Sequence, residues 1–278
     1  MMNNKSPLVI TAIGLLTVAT IKLFQSSYSP CLQQVSPQPN PKSNSTFYHH
    51  YHETYSPFHT KAKQTYLRNV CKNATRTATQ KFELSKWMTR TGGGLTDEDR
   101  VMLGSYYGSA NSVFEWGLGE SSYIAGHLNV PRYAGVDSDA GWVSSTRAKC
   151  PTHFRFSFAD IGETKEFGNP AETLDKNSYN YIVAPLMSEM CPFDVYMVDG
   201  RYRPACVMMA LLHASEYNHD ATILMHDYGN DRPGYKTVEE VCDVIQFSGK
   251  RLVALRRKEN ATDEMIYNVF EKMKGERE

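Results

Sequence analysis

The chain carries no net charge, because its 30 Lys and Arg are matched by 30 Asp and Glu. That balance leaves no long-range field to steer nucleic acid towards it, so a polyanionic partner is not indicated. It also lacks any C-x-x-C pair among its six cysteines, Cys31, Cys71, Cys150, Cys191, Cys206 and Cys242. Metal-thiolate chemistry is thereby disfavoured. The six remain as buried thiols or, in an oxidising lumen, as disulfides whose connectivity their spacing does not choose. Aliphatic residues are scarce across residues 25–65, which include "SPQPNPKSNS". Such a stretch cannot bury enough apolar surface to fold and reads as a stalk.

What is present suffices for one large domain: 278 residues, 41% of them hydrophobic, even with the first sixty or so set aside. The run "PLVITAIGLLTVATI", residues 7–21, lies between Lys5 and Lys22. It reaches spanning length if Lys22 snorkels and Leu23 and Phe24 are counted. The reading is a signal anchor over residues 1–24, with a cleaved signal peptide as the alternative. The flanking lysines barely set the topology. Three glycan-acceptor triplets, at Asn44, Asn73 and Asn260, favour a single-pass protein of the Golgi or endoplasmic reticulum with its C-terminal domain in the lumen.

Residues 66–110 carry helical signals, first "TQKFELSKWMTR" and then "LTDEDRVMLGSYYG". In the second, Thr96 is a good N-cap, and Asp97, Glu98 and Asp99 lie in the first turn, where the helix dipole favours negative charge. These helices are expected to cover a sheet built from residues 111–278. There strand-like runs ("SVFEWG", "RYAGVDS", "FRFSFADI", "FDVYMVDG", "TILMHDY", "RLVALRR") alternate with helix-like ones ("PACVMMALLHASE", "TVEEVCDVIQFSG"). The pattern predicts an α/β fold, a doubly wound and mostly parallel sheet, with ligands at the carboxyl ends of its strands.

The first of those ends reads Glu115-Trp116-Gly117-Leu118-Gly119-Glu120-Ser121-Ser122. Two glycines let the backbone turn sharply and approach a ligand. A dinucleotide fingerprint would want a third glycine or alanine where Ser122 stands, so a nicotinamide or flavin dinucleotide is disfavoured. Asp137 follows Gly117 by twenty residues, the right distance for a carboxylate that accepts both hydroxyls of a ribose. A nucleoside ligand without phosphates suits this set. Over residues 96–270 the chain resembles the class I S-adenosylmethionine-dependent methyltransferases, through "FEWGLGESS" for their E-x-G-x-G loop, "YAGVDSD" for the ribose acid and "FADIG" for the acid beside the adenine. That resemblance implies a Rossmann-like methyltransferase fold and S-adenosyl-L-methionine as cofactor. Glu115, Gly117, Gly119 and Ser121 would line its methionine end, Asp137 would hold the ribose, and Asp160 would lie near the adenine amine.

Two later strand ends concern the second substrate. Asp199 ends the fourth strand, before Arg201 and Arg203; His226, Asp227 and Tyr228 end the fifth. This pair is similar to the macrocin-type small-molecule O-methyltransferases, in which a strand-end acid and an x-D-Y-G segment flank a divalent metal. Adjacent strands lie about 4.8 Å apart, so Asp199 and Asp227 could share one Mg²⁺. His226 stands where that family shows a second acid. The resulting expectation has Asp199, His226 and Asp227 as catalytic residues, His226 removing a proton from the acceptor. Arg201 and Arg203 would bind an anionic acceptor such as a uronate, with Tyr228 and Trp116 as pocket walls. The function expected is methyl transfer to an oxygen of a small molecule or glycan. Two alternatives stay open: a catalytically silent methyltransferase-like binding protein and a nucleotide-dependent oxidoreductase.

Overall fold

A computed structural model describes residues 76–87, 94–165, 170, 178–189, 191–215, 220–229 and 232–274. Thr96 opens the first long helix, α1 (Asp97–Ser109). Its hydroxyl accepts from the Asp99 N–H at 3.2 Å, while the Asp99 carboxylate accepts from the Thr96 N–H at 2.9 Å. This reciprocal cap satisfies donors that a helix start otherwise leaves unpaired. The segment before it departs from expectation. Of the helix expected over residues 79–90, only a 3-10 turn forms among the described residues, Leu84–Lys86. The Gln80 N–H instead donates to Gly108 O at 2.8 Å, and Phe82 lies against Gly104, where a Cβ would collide with its ring. Glycines one turn apart open a lane along α1, and contact with that lane outweighs local helix propensity. Arg76 closes the far end, donating to Tyr107 O, Ala110 O and Leu128 O.

The sheet has seven strands: β1 (Ser112–Trp116), β2 (Arg132–Asp137), β3 (Arg155–Phe158), β4 (Val195–Val198), β5 (Thr222–Met225), β6 (Cys242–Phe247) and β7 (Val253–Arg257). Their order is β3-β2-β1-β4-β5-β7-β6, parallel except that β7 runs antiparallel to both neighbours. Every residue of β1, β4 and β5 is buried, as expected of central parallel strands with helices on both faces. Those helices are α2 (Glu120–His127), α3 (Ala140–Lys149), α4 (Ser178–Ile182), α5 (Ala184–Ser188), α6 (Arg203–Ser215) and α7 (Asp263–Met273). α6 is buried along its whole length, and α7 turns Ile266, Tyr267, Val269, Phe270 and Met273 inward at helical spacing.

"TVEEVCDVIQFSG", expected as a helix, splits into the end of a 3-10 helix (Pro233–Glu240) and the edge strand β6. Val244 and Ile245 are β-branched, which favours a strand, and the segment pairs with β7 from Cys242 to Phe247 with an irregularity at Ile245.

Register decides what meets at the strand ends. Trp116 lies opposite Val136 on one side and Val198 on the other, and Val198 lies opposite Met225. The pairing continues one residue further through Gly117 N to Val136 O, Asp199 N to Trp116 O and His226 N to Val198 O. Gly117, Asp137, Asp199 and His226 therefore emerge in a row. Among the described residues no helix is long and apolar enough to cross a membrane. The anchor expected over residues 1–24 and the stalk over 25–65 lie outside the described residues.

Candidate cofactor and active site

The strand order reverses between β1 and β4, and the glycine loop sits at that switch point, where open α/β sheets bind ligands. Gly117 has φ +85°, and a Cβ there would lie 2.5 Å from Gly200 N. Its smallness thus serves the packing of two strand-end loops. Gly119 is the opposite case, since a Cβ there would have no heavy atom within 4 Å. The two glycines thus differ in what a side chain would meet, the Gly200 backbone at one and open space at the other.

Glu115 points inward from β1 and is fully buried, accepting hydrogen bonds from the Ser121 hydroxyl and, at 2.7 Å, from that of Ser122. Burial raises its pKa to about 8, against the two hydroxyls, with help from the negative charge of Asp199 and Asp137. Ser121 is buried in the same contact, so Glu115 and Ser121 brace the loop from below. The folded chain holds this proton more tightly than the unfolded one, where the ordinary value is 4.5. Stability is accordingly greatest below that value and falls as pH rises from it towards about 8. Glu115→Gln removes the ionisable group and keeps the shape. Its melting temperature at pH 8.5 should exceed the wild type's by the equivalent of at least about 1.4 kcal/mol, the worth of one pKa unit, with no such gain at pH 4. Equal pH profiles for the two proteins would refute the assignment.

Asp137, half-buried at the end of β2, accepts from Leu118 N at 2.8 Å and from Asp139 N at 3.0 Å. Burial raises its pKa, against those N–H groups. Beside it lie two large apolar side chains that face solvent, Trp142 at 41% and Phe158 at 49%. The Trp142 indole donates to Leu118 O, and Phe158 is the register partner of Asp137. Asp160 follows β3 and is exposed; its carboxylate accepts from Gly162 N at 2.9 Å. A carboxylate with two exposed flat rings beside a bare glycine backbone is a fitting floor for a nucleoside.

The second cluster gathers where β4 and β5 end. His226 is buried, with Nδ1 3.0 Å from Asp199 Oδ1 and 3.4 Å from Asp227 Oδ1, and Nε2 3.7 Å from Asp99 Oδ2. Burial alone would lower its pKa, but Asp199 first, then Asp99 and Asp227, outweigh that and push it up to about 9. It is an imidazolium at neutral pH, with acids on both sides. Asp99 is held well below the usual carboxylate range: burial opposes this, and His226, Ser248 and Thr96 prevail. Asp227, with φ +57°, is likewise lowered against burial, chiefly by Arg203.

Arg203 differs from its expected role. Rather than reaching for an acceptor, it is buried, donating to Asp227 Oδ2 at 2.7 Å, His226 O at 2.8 Å and Gly200 O at 2.9 Å, and it lies 3.3 Å from Asp199 Oδ1. Tyr228 is buried too, its hydroxyl donating to Glu239, so it ties β5 to the 3-10 helix. Trp116 is fully buried, its indole donating to Tyr181 O at 2.9 Å, and walls no open pocket. Arg201 is half-buried, its N–H donating to the Tyr181 hydroxyl at 3.3 Å.

Three contributors escaped sequence reasoning. Asp99 was legible only as an acid in the first turn of α1, yet it also accepts from Ser248 Oγ at 2.6 Å and Leu252 N at 3.0 Å, joining α1, the β6–β7 turn and His226. Arg251 reaches Asp227 Oδ1 at 3.1 Å. Arg100 grips Glu120, the first residue of α2, through two hydrogen bonds of 2.7 and 2.9 Å, and Trp87 adds a third at 2.8 Å. The covering helix is thereby bonded to both halves of the site.

Asp199, His226 and Asp227 each bring a ligand atom within 4.8 Å of the others, a spacing an ion could bridge. The donor chemistry does not fit Mg²⁺, which demands near-octahedral oxygen ligands. One donor is an imidazole nitrogen rather than an oxygen, and both carboxylates face Arg203.

No family model matches the sequence, and no curated protein matches it. Solved structures do. A methyltransferase-like protein from Silicibacter pomeroyi aligns with a TM-score of 0.53 and 20% identity, covering 66% of this chain and 96% of that one. An SAH-bound methyltransferase from Podospora anserina has a TM-score of 0.39 and 12% identity, over 81% and 100% of the two chains. MycE, a methyltransferase of the mycinamycin biosynthetic pathway solved with Mg, SAH and mycinamycin VI, has a TM-score of 0.37 and 14% identity, over 80% and 66%. With its strand order, its antiparallel β7 and its glycine loop at the switch point, this chain has the fold of the class I methyltransferases.

Proposed function

We propose that the chain is an S-adenosylmethionine-dependent methyltransferase that acts on an oxygen of a small molecule or glycan. The observation that carries this reading is the floor at the switch point: the open backbone at Gly119, with Asp137 beside the exposed rings of Trp142 and Phe158. Asp137 accepts the ribose hydroxyls, Trp142 and Phe158 offer the adenine flat apolar surface, and the loop over Glu115 seats the methionine end. When bound, S-adenosylmethionine supplies a methyl group on a sulfonium, ready for in-line displacement. The chain's part is then to orient the acceptor. Asp199 is the group at the β4 end placed to do so: its side chain keeps 24% of its exposure while His226 and Arg203 fix its position. His226 faces acids through both ring nitrogens, which suits holding Asp199, and the partly exposed Asp199 carboxylate takes the acceptor's proton as the oxygen–methyl bond forms and S-adenosylhomocysteine leaves.

The test uses the product, S-adenosylhomocysteine. Any ligand of the native state stabilises it, by about 2.7 kcal/mol at a hundred times its Kd, so the melting temperature should rise by several degrees. Asp137→Asn should lose most of that rise. A rise with NAD(H) and none with S-adenosylhomocysteine would move the chain to the oxidoreductases. A rise with S-adenosylhomocysteine, but no methyl release on sugars, uronates and phenols, would favour a silent binding protein.

The lumenal placement is part of the same proposal. It is supported by the three glycan-acceptor triplets, of which Asn260 is exposed in the turn before α7. Residues 7–24 supply the anchor in this reading. Full-length protein made in a eukaryotic host should lose mass on glycosidase treatment, and Asn260→Gln should lose one glycan fewer.

A further inference from the structure

The ends of β4 and β5 hold two acids at ion-bridging distance, and a guanidinium lies between them. Arg203 Nη1 donates to Asp227 Oδ2 at 2.7 Å, while Nη2 is 3.3 Å from Asp199 Oδ1. The same side chain bonds the backbone of both loops, at Gly200 O and His226 O, and is only 6% exposed. Arg251 takes the other oxygen of Asp227 at 3.1 Å, and His226 Nδ1 takes Asp199 at 3.0 Å. On the far side of His226 stands Asp99. Both acids thus already lie against a guanidinium, Asp227 against two, so a dication placed between them would meet fixed cations.

The backbone agrees. Tyr202, with φ +54°, and Asp227, with φ +57°, are non-glycine residues in the left-handed region, one on each loop that Arg203 joins. Such conformations persist only where surrounding bonds over-determine them. A planar fork that engages acceptors on two loops does this; a compact ammonium could not span them.

We infer that Arg203 takes the place of a divalent ion: the Asp199–Asp227 pair is an internally neutralised, arginine-held site that needs no metal. A magnesium ion in such a place would both hold the two acids together and polarise an acceptor oxygen. Arg203, buried and donating to the protein, does the first and not the second. It is a positioning residue. The inference rests on the methyltransferase reading only in taking this pair as the place where an ion would bind.

Mn²⁺ is the probe, followed by electron paramagnetic resonance and calorimetry on the full chain, so the readout is metal occupancy and is independent of cofactor binding and turnover. Wild type should bind no stoichiometric Mn²⁺ at millimolar concentration, and its melting temperature should be the same in EDTA and in Mg²⁺. Arg203→Met uncovers the acids and should bind Mn²⁺ at least tenfold more tightly than wild type, a gain that a second change, Asp199→Asn, removes. Should Arg203→Met fail to fold, the neutral Arg203→Gln replaces it with the same expectation. Stoichiometric Mn²⁺ in the wild type, or a folded Arg203 variant that binds no more tightly, overturns the inference.

Discussion

Gly119→Leu should weaken S-adenosylhomocysteine binding at least a hundredfold and leave the unliganded fold as stable as before. The backbone there is extended, with φ 175°, which any residue adopts, and a Cβ would meet nothing within 4 Å. The apo protein should therefore change in stability by no more than about 0.5 kcal/mol. The ligand pays instead, since a hundredfold is about 2.7 kcal/mol of lost contact. Gly117→Ala is the control with the opposite signature. Its positive φ and the Gly200 backbone 2.5 Å from a Cβ set the cost on the fold itself, so the melting temperature should drop with or without ligand. Calorimetry and thermal melts on both variants check the pair. Unchanged affinity in Gly119→Leu would place the cofactor elsewhere.

Arg100→Met should produce the largest loss of stability of any single change considered. Arg100 and Glu120 form a buried ion pair with side chains 7% and 2% exposed. Without Arg100 the Glu120 carboxylate keeps only the Trp87 indole among the partners described above. Breaking such a pair typically costs about 3–5 kcal/mol, which for a domain of this size lowers the melting temperature by roughly 10 °C. Removing both charges, in Arg100→Met with Glu120→Gln, should recover much of the loss, because the penalty comes from an uncompensated buried charge. The double variant should still bind S-adenosylhomocysteine more weakly than wild type, since Glu120 begins the helix that follows the glycine loop. A loss below about 1 kcal/mol in the single variant would show that the pair is no more than a surface contact.

The alternation of strands and helices, the cap at Thr96, and the order of glycine loop, strand and acid were all legible in the chain. Each is a local pattern: the side-chain period of a strand, a hydroxyl three residues from an N–H, a turn that needs a residue without a Cβ. Tertiary structure decided the rest. Residues 79–87 leave the helical state because Gly104 and Gly108, on another element, offer a lane, and residues 242–247 become a strand because β7 lies alongside. Gly117 and Gly119 read alike in sequence, yet one faces the Gly200 backbone and the other open space. Arg203, Asp99 and His226 are a charged residue, a first-turn acid and a strand-end histidine until folding sets them beside one another. What a charge does depends on which charges stand within a few ångströms of it, and those neighbours are far away along the chain.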